Sequence, residues 1–349
     1  MVYNYNNYLI NDINFMYIDY FCSQINFIMN KKLKETQKKI TKNEFKDVIL
    51  KDFRLISEVR ECGAQGRRDV LSGKGSFGIF GDGKELAQIA MAKVFKDGDF
   101  RCGYYRDQTF MTAIGQYSPK HMFSALYGDP ELEREPSSGS RQMMNHFGTH
   151  FLNEDGSWKN LMKQKNSTSD MACLASQFPR LVGLAQASKV YRENKELASK
   201  NSNFTNNGNE IAFATIGNSS CAEGHFWEAV NAIGVLQVPA IISIWDDGYG
   251  ISVSNEIQMT KSDVSAVLAG FENNDQGKGF NIIKVKGINS FGSDSKTTTI
   301  IYRPPQIVRP PSVNITVPNS NDQSTYSPFT SIHASILNVE SNNGIIFKI

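Results

Sequence analysis

The sequence predicts an α/β protein, a mainly parallel sheet flanked by helices, and three observations carry that prediction. Short, continuously apolar runs at 211–216, 240–245 and 280–285 each end abruptly in Gly217, in Asp246-Asp247-Gly248 or near Gly287. A helix-length segment, 223–237, separates the first two, which makes them a βαβ unit of adjacent parallel strands. The chain has 349 residues, of which 40% are hydrophobic and 21% charged, so it can bury the core of one large α/β domain or two modest ones.

The helices are justified by apolar spacing. Residues 44–62 repeat apolar side chains at helical intervals and are expected to stop at Gly63. Residues 84–96 form a second helix that ends near Gly98, and 176–193, rich in Leu, Val and Ala, form a third. Gly73-Lys74-Gly75-Ser76-Phe77-Gly78 has the letters of a dinucleotide fingerprint, but the polar stretch 67–72 precedes it where a strand is required, so a plain glycine loop is expected. Gly81-Asp82-Gly83 is expected to be a turn and helix cap.

Composition excludes several classes. Lys and Arg number 37 against 35 Asp and Glu, and a net charge of +2 offers no basic field for nucleic acid. Cys22, Cys62, Cys102, Cys173 and Cys221 are scattered with no C-x-x-C pair, the pattern of reduced thiols in a cytoplasmic protein. Residues 1–28 are dominated by Asn, Tyr, Ile and Phe, with Asn and Asp interrupting every apolar run. They make neither a signal peptide nor a membrane span. The expectation is an atypical leader outside the fold with Met29 as initiator, an organised domain over 29–287, and a Pro/Ser/Thr/Asn-rich, poorly packed tail over 288–349. Within that tail 313–317 has the pattern of one short strand.

Ligands of parallel sheets bind beyond the carboxyl ends of strands, and both ends of the βαβ unit carry unusual polar residues. Gly217-Asn218-Ser219 leaves a strand and enters a helix, whose free N–H groups suit a diphosphate. Asp247 follows Gly217 by 30 residues and lies at the next strand end, so oxygen atoms from Asn218 and Asp247 could hold a hard cation such as Mg2+ that bridges phosphates. Two well-capped turns would have the same letters.

These residues resemble the thiamine-diphosphate motif, a Gly-Asp/Glu-Gly turn followed one strand later by an Asn-Asn pair. The resemblance is to the α half of the decarboxylating component of 2-oxo acid dehydrogenase complexes, branched-chain type. Tyr104-Tyr105-Arg106-Asp107 is similar to its Tyr-Arg diphosphate grip. Ser140-Arg141-Gln142-Met143 with His146 is similar to its G-R-Q-M…H segment, and Leu174-Ala175-Ser176-Gln177-Phe178-Pro179 to its L-A-T-Q-I-P turn. The resemblance thus spans residues 104–252 with four motifs in the family's order.

It implies that Tyr105 and Arg106 grip the diphosphate, that Asn218, Asp247 and the Tyr249 carbonyl ligate Mg2+, and that the Ser219 N–H, beside Gly217, meets phosphate. It implies further that Leu174 walls the bent cofactor, that Ser176 and Gln177 hold a structural K+, and that His146 faces a small 2-oxo acid such as 3-methyl-2-oxobutanoate. The implied activity is oxidative decarboxylation with acyl transfer to a lipoylated dihydrolipoyl transacylase, in an active site shared with a β half or β subunit that supplies an activating glutamate. A pyruvate- or acetoin-type thiamine enzyme, a transketolase-like one, and a shortened cofactor-binding subunit without chemistry stay open. Two departures stand out. The family's carboxylate and amide are exchanged between positions 218 and 247, and past Gly287 its helix and histidine loop have no counterpart, His333 standing in an unrelated context.

Overall fold

The computed structural model describes residues 41–273, 278–302, 312–316, 319–320 and 333–337; the expected leader, residues 1–28, lies outside them. Its elements are α1 (Lys42–Leu71), α2 (Glu85–Val94), β1 (Phe100–Cys102), α3 (Gln108–Ala113), α4 (Pro119–Leu126), β2 (Asn166–Ser167), α5 (Gln177–Glu193), α6 (Lys195–Lys200), β3 (Ala212–Gly217), α7 (Gly224–Leu236) and β4 (Ala240–Trp245). There follow the hairpin β5 (Tyr249–Gly250) and β6 (Val253–Ser254), the short helices α8 (Asn255–Gln258) and α9 (Val264–Leu268), and strands β7 (Asn281–Tyr302), β8 (Ser312–Thr316), β9 (Asn319–Ser320) and β10 (His333–Leu337).

The main sheet runs β10-β8-β7-β4-β3-β1-β2. Strands β2, β1, β3 and β4 are all parallel, as the βαβ reading requires. Alternate residues of β3 and β4 serve opposite faces. Ala212, Ala214, Ile216, Ile242 and Ile244 pack with α5 and α7 in one core, while Phe213 and Trp245 pack with α2 and α3 in another. Two apolar layers around one sheet explain why β3 and β4 are apolar along nearly their whole length. From β1 the chain passes to β2 on one side, then returns to β3 on the other. The carboxyl ends of β1 and β3 therefore form a topological switch point, where a crevice opens.

Three expectations need correction. The first helix does not stop at Gly63; it runs from a Thr41–Glu44 capping box to Leu71. Gly63 and Gly66 are there for close packing instead, because a Cβ would lie 2.6 Å from Asp82 Oδ1 at the first and 2.5 Å from the Phe80 ring at the second. The Gly81-Asp82-Gly83 turn forms, with Gly83 at φ +88°, but Asp82 caps no helix; it pairs with Arg67, and Lys84 holds the N-cap position of α2. The run at 280–285 is strand from Asn281, yet it is not the part that flanks β4. Residues 299–302 of β7 pair there, antiparallel. The G-x-G-x-x-G segment, as expected, is a loop after a helix, with Gly73 at φ +78° just past the α1 C-cap. The strand expected at 313–317 is β8.

Asp99 ties the amino ends of β1 and β3 together by accepting the Ile211 N–H at 2.8 Å, while its other oxygen accepts the Lys96 N–H at 2.8 Å. Burial pushes its carboxyl up to about 6. A carboxyl whose folded value is raised stabilises the fold most at low pH, here below the ordinary 3.8, and that contribution is lost as pH rises through about 6. Stability to urea is therefore expected to fall, for this group's part, as pH rises toward 6. In D99N that component of the slope disappears; parallel wild-type and D99N curves would contradict the assignment.

Candidate active site at the strand ends

Under the crevice lies a buried ion network. Arg101 of β1 is fully buried. Its guanidinium donates to both Asp170 oxygens at 3.0 Å, to Asp107 Oδ2 at 2.8 Å and to the Ser167 hydroxyl at 2.8 Å. Burial works against its charge, but the two carboxylates overcome that and hold the proton more tightly than usual. Asp170 is shifted upward, burial outweighing the attraction of Arg101. Gly103 is required beside it, because a Cβ there would overlap the guanidinium. Asp107 then reaches across the sheet. It accepts the Thr215 hydroxyl of β3, the Trp245 indole N–H of β4 at 3.3 Å and the Tyr104 N–H at 3.3 Å. The turn 104–107 is thereby fixed over the ends of β1, β3 and β4.

That turn presents Tyr105 and Arg106. The Arg106 guanidinium lies 5.1 Å over the Tyr105 ring and within 3.4 Å of its hydroxyl. Gly81 lets the α2 turn approach it, since a Cβ would lie 2.6 Å from the Arg106 carbonyl. On the far side of Tyr105 is His146, buried, its ring stacked at a centroid distance of 6.3 Å. Its Nδ1 lies 3.4 Å from the Met144 carbonyl, which can accept from it, and Nε2 is buried with no partner among the described residues. The loop that delivers it is folded by Glu135, which accepts the N–H groups of Ser137, Ser138 and Ser140 and is held low despite its burial.

Asn218 and Asp247 follow β3 and β4, whose register sets Gly217 opposite Trp245. Asn218 is buried; its amide nitrogen donates to the Tyr249 carbonyl at 3.1 Å and to Asn255 Oδ1 at 2.5 Å. Asn255 in turn commits its own nitrogen to Asp246 Oδ1 at 3.2 Å and the Ser262 carbonyl at 3.0 Å, which fixes the orientation of both amides. A carboxylate at 218 would face the Tyr249 carbonyl and Asn255 Oδ1 with no hydrogen to offer either. The amide at position 218 therefore has a local cause. Asp247 accepts the Tyr249 N–H at 3.2 Å through Oδ1 and pairs with Lys84 Nζ at 2.8 Å through Oδ2. Burial pushes its carboxyl up, but the Lys84 hydrogen bond and charge, helped by Arg106, overcome this and hold it below the ordinary value.

The structure thus places Tyr105, Arg106, Gly217, Asn218, Asp247 and Tyr249 at the neighbouring carboxyl ends of β1, β3 and β4, with His146 stacked on Tyr105. Ser219 begins a short 3-10 turn, Ser219–Ala222, rather than the helix proper, which starts at Gly224. Leu174 stands half-exposed on the loop before α5. The Ser176 hydroxyl donates to the Cys173 carbonyl at 2.6 Å, and the Gln177 amide to the Thr215 carbonyl at 2.9 Å, anchoring α5 to β3. Lys84 and the Arg101–Asp170 pair escaped the sequence reading, and Tyr104 and Asp107 were seen there only as letters of a motif. A basic residue directly after a Gly-Asp-Gly turn was the available signal for Lys84; nothing local marked Arg101.

The residues present fit a metal-bound diphosphate. Tyr104 Oη and Ser219 Oγ are buried and unpartnered among the described residues, and Arg106 adds a permanent charge. One carboxylate with two neutral oxygens suits a cation that takes its remaining ligands from phosphate and water.

A parallel sheet covered by helices on both faces, with such residues at its switch point, defines a protein of the α/β class whose candidate site lies at the strand ends. The family model described as dehydrogenase E1 component matches residues 65–287, and the chain belongs to that family. It is 28% identical over 201 residues to the 2-oxoisovalerate dehydrogenase subunit alpha of Bacillus subtilis (strain 168), covering 57% of this chain and 51% of that one. To the mitochondrial 2-oxoisovalerate dehydrogenase subunit alpha of Caenorhabditis elegans it is 26% identical over 186 residues, 53% of this chain and 36% of the other. The chain spans about half, or less, of the length of these relatives.

Removing Arg101 leaves two buried carboxylates without a counter-charge. R101M is expected to cost about 3–5 kcal/mol of folding stability, read by urea denaturation. D170N, which keeps the Arg101–Asp107 pair, is expected to cost less. Equal, small losses would remove the network from its supporting role.

Proposed function

We propose that this chain is the α-type part of a 2-oxo acid dehydrogenase, branched-chain in its substrate class, which binds thiamine diphosphate with Mg2+. The observation that carries the reading is the meeting of Tyr105-Arg106, Asn218, Asp247 and the Tyr249 carbonyl at the ends of β1, β3 and β4. The similarity to two 2-oxoisovalerate dehydrogenase alpha subunits supports the substrate class.

Arg106 and Tyr105 would bind the diphosphate, with the Ser219 N–H and the buried Tyr104 and Ser219 hydroxyls as further donors. Asn218, Asp247 and the Tyr249 carbonyl would hold Mg2+. Thiamine diphosphate, when bound, supplies the electron sink for decarboxylation. His146, with its Nε2 unspent, would orient the 2-oxo acid and hold or release a proton at that atom. Leu174 contributes apolar wall. The acyl group would pass to a lipoylated dihydrolipoyl transacylase.

A β half or β subunit completes the site in this reading. Its support is an apolar rim: Tyr249, Ile251, Val253 and Ile257 are all exposed, and Ile251, 99% exposed, is held at φ +57°, a strained conformation for a β-branched residue. We place the assembly in the cytoplasm. The cysteines among the described residues are free, and no helix among them is long and apolar enough to cross a membrane.

The test pairs the chain with its β subunit and a lipoyl domain. Acyl transfer from 3-methyl-2-oxobutanoate is expected to exceed that from pyruvate, and D247N is expected to raise the thiamine-diphosphate requirement about tenfold or more, as loss of a charged ligand does. Preference for pyruvate would overturn the substrate class, and an unchanged requirement in D247N the ligand assignment.

A further inference from the structure

Lys84 has no role in the family resemblance, yet it is a largely buried cation at the crevice mouth. Its side chain is 11% exposed against 35% for Asp247, its partner 163 residues away in sequence. It occupies the N-cap position of α2 with no side-chain cap hydrogen bond. A cation there opposes the helix macrodipole, so helix stability does not explain it. The neighbouring carboxylates are otherwise engaged. Asp82 pairs with Arg67, Glu85 with Arg60, and Asp246 accepts the Gly248 N–H and the Asn255 amide. The Lys84 stem lies along the same cleft as Ala87 and Trp245, which leaves its ammonium aimed at the one carboxylate that the exchange moved from position 218 to position 247.

A divalent cation on Asp247 and an ammonium on the same carboxylate repel one another, and a four-carbon lysine stem is flexible enough to yield. In the cofactor reading, the anion beside a cation held by Asp247 would be the diphosphate. We propose that Lys84 is a diphosphate-binding residue that trades partners: it neutralises Asp247 before loading, then releases that carboxylate to the divalent cation and takes a phosphate oxygen. The proposal rests on the cofactor reading above. It gives the exchanged pair a consequence, because the cation and the diphosphate are then bound in an ordered, mutually dependent way. The cation alone must displace Lys84, whereas the cation with diphosphate gives the ammonium a new partner.

Calorimetric titration of the full chain tests this, first with Mg2+ alone and then with thiamine diphosphate at saturating Mg2+, for wild type, K84Q and K84R. K84Q is expected to bind Mg2+ alone severalfold more tightly, and thiamine diphosphate about tenfold or more weakly, as loss of a charge-assisted hydrogen bond does. K84R, which keeps the charge, is expected to stay nearer wild type in both. The opposite signs are what a merely structural ion pair would not produce. If both constants are unchanged in K84Q, or both weaken together, the partner exchange is overturned while the cofactor reading stands. If wild type itself takes up no thiamine diphosphate at saturating Mg2+, the cofactor reading falls, and the role of Lys84 with it.

Discussion

Everything at the crevice depends on one buried guanidinium. Arg101 sits between Asp107 and Asp170 with no solvent to share its charge, and a charge so placed is tolerated only when paired and fully hydrogen-bonded. That requirement makes the network rigid. Because Asp107 also takes the Thr215 hydroxyl and the Trp245 indole N–H, the ends of three strands are tied to the turn that carries Tyr105 and Arg106. The stabilisation and the placement of the site are one arrangement of hydrogen bonds, not two.

The second constraint is a chain of amides. Asp246 holds Asn255, Asn255 holds Asn218, and Asn218 holds the Tyr249 carbonyl. Each link needs a donor facing an acceptor, and an amide at 218 completes it where a carboxylate would not. The carboxylate then stands at 247, within reach of Lys84. The amide at 218 and the carboxylate at 247 are thus a consistent local solution when their neighbours are counted.

How much of this was legible in the sequence follows from the range of the interactions. The βαβ unit could be read because apolar runs and glycine ends are local signals; β4 falls on the expected residues and β3 within one of them. Gly63 misled because a glycine that admits Asp82 and one that ends a helix look the same in sequence. Strand β1, Phe100–Cys102, has a charged centre and three residues, and β2 has two, so neither shows a periodicity. Arg101 finds Asp170 across 69 positions and Lys84 finds Asp247 across 163; no window along the chain contains either pair. Asn218 and Asp247 were conspicuous as polar residues at the ends of apolar strands, and Tyr105, Arg106 and His146 entered only through the family resemblance, whereas Arg101 and Lys84 gave no such signal.

The central claim is that the turn fixed by Arg101 and the ends of β3 and β4 form a single diphosphate and cation site. A crystal structure of the full chain with thiamine diphosphate and Mg2+ tests it most directly. The account predicts the diphosphate between Arg106 and the Ser219 N–H, with the cation touching Asn218, Asp247 and the Tyr249 carbonyl. A diphosphate bound elsewhere, or a cation that leaves Asp247 untouched, would contradict it.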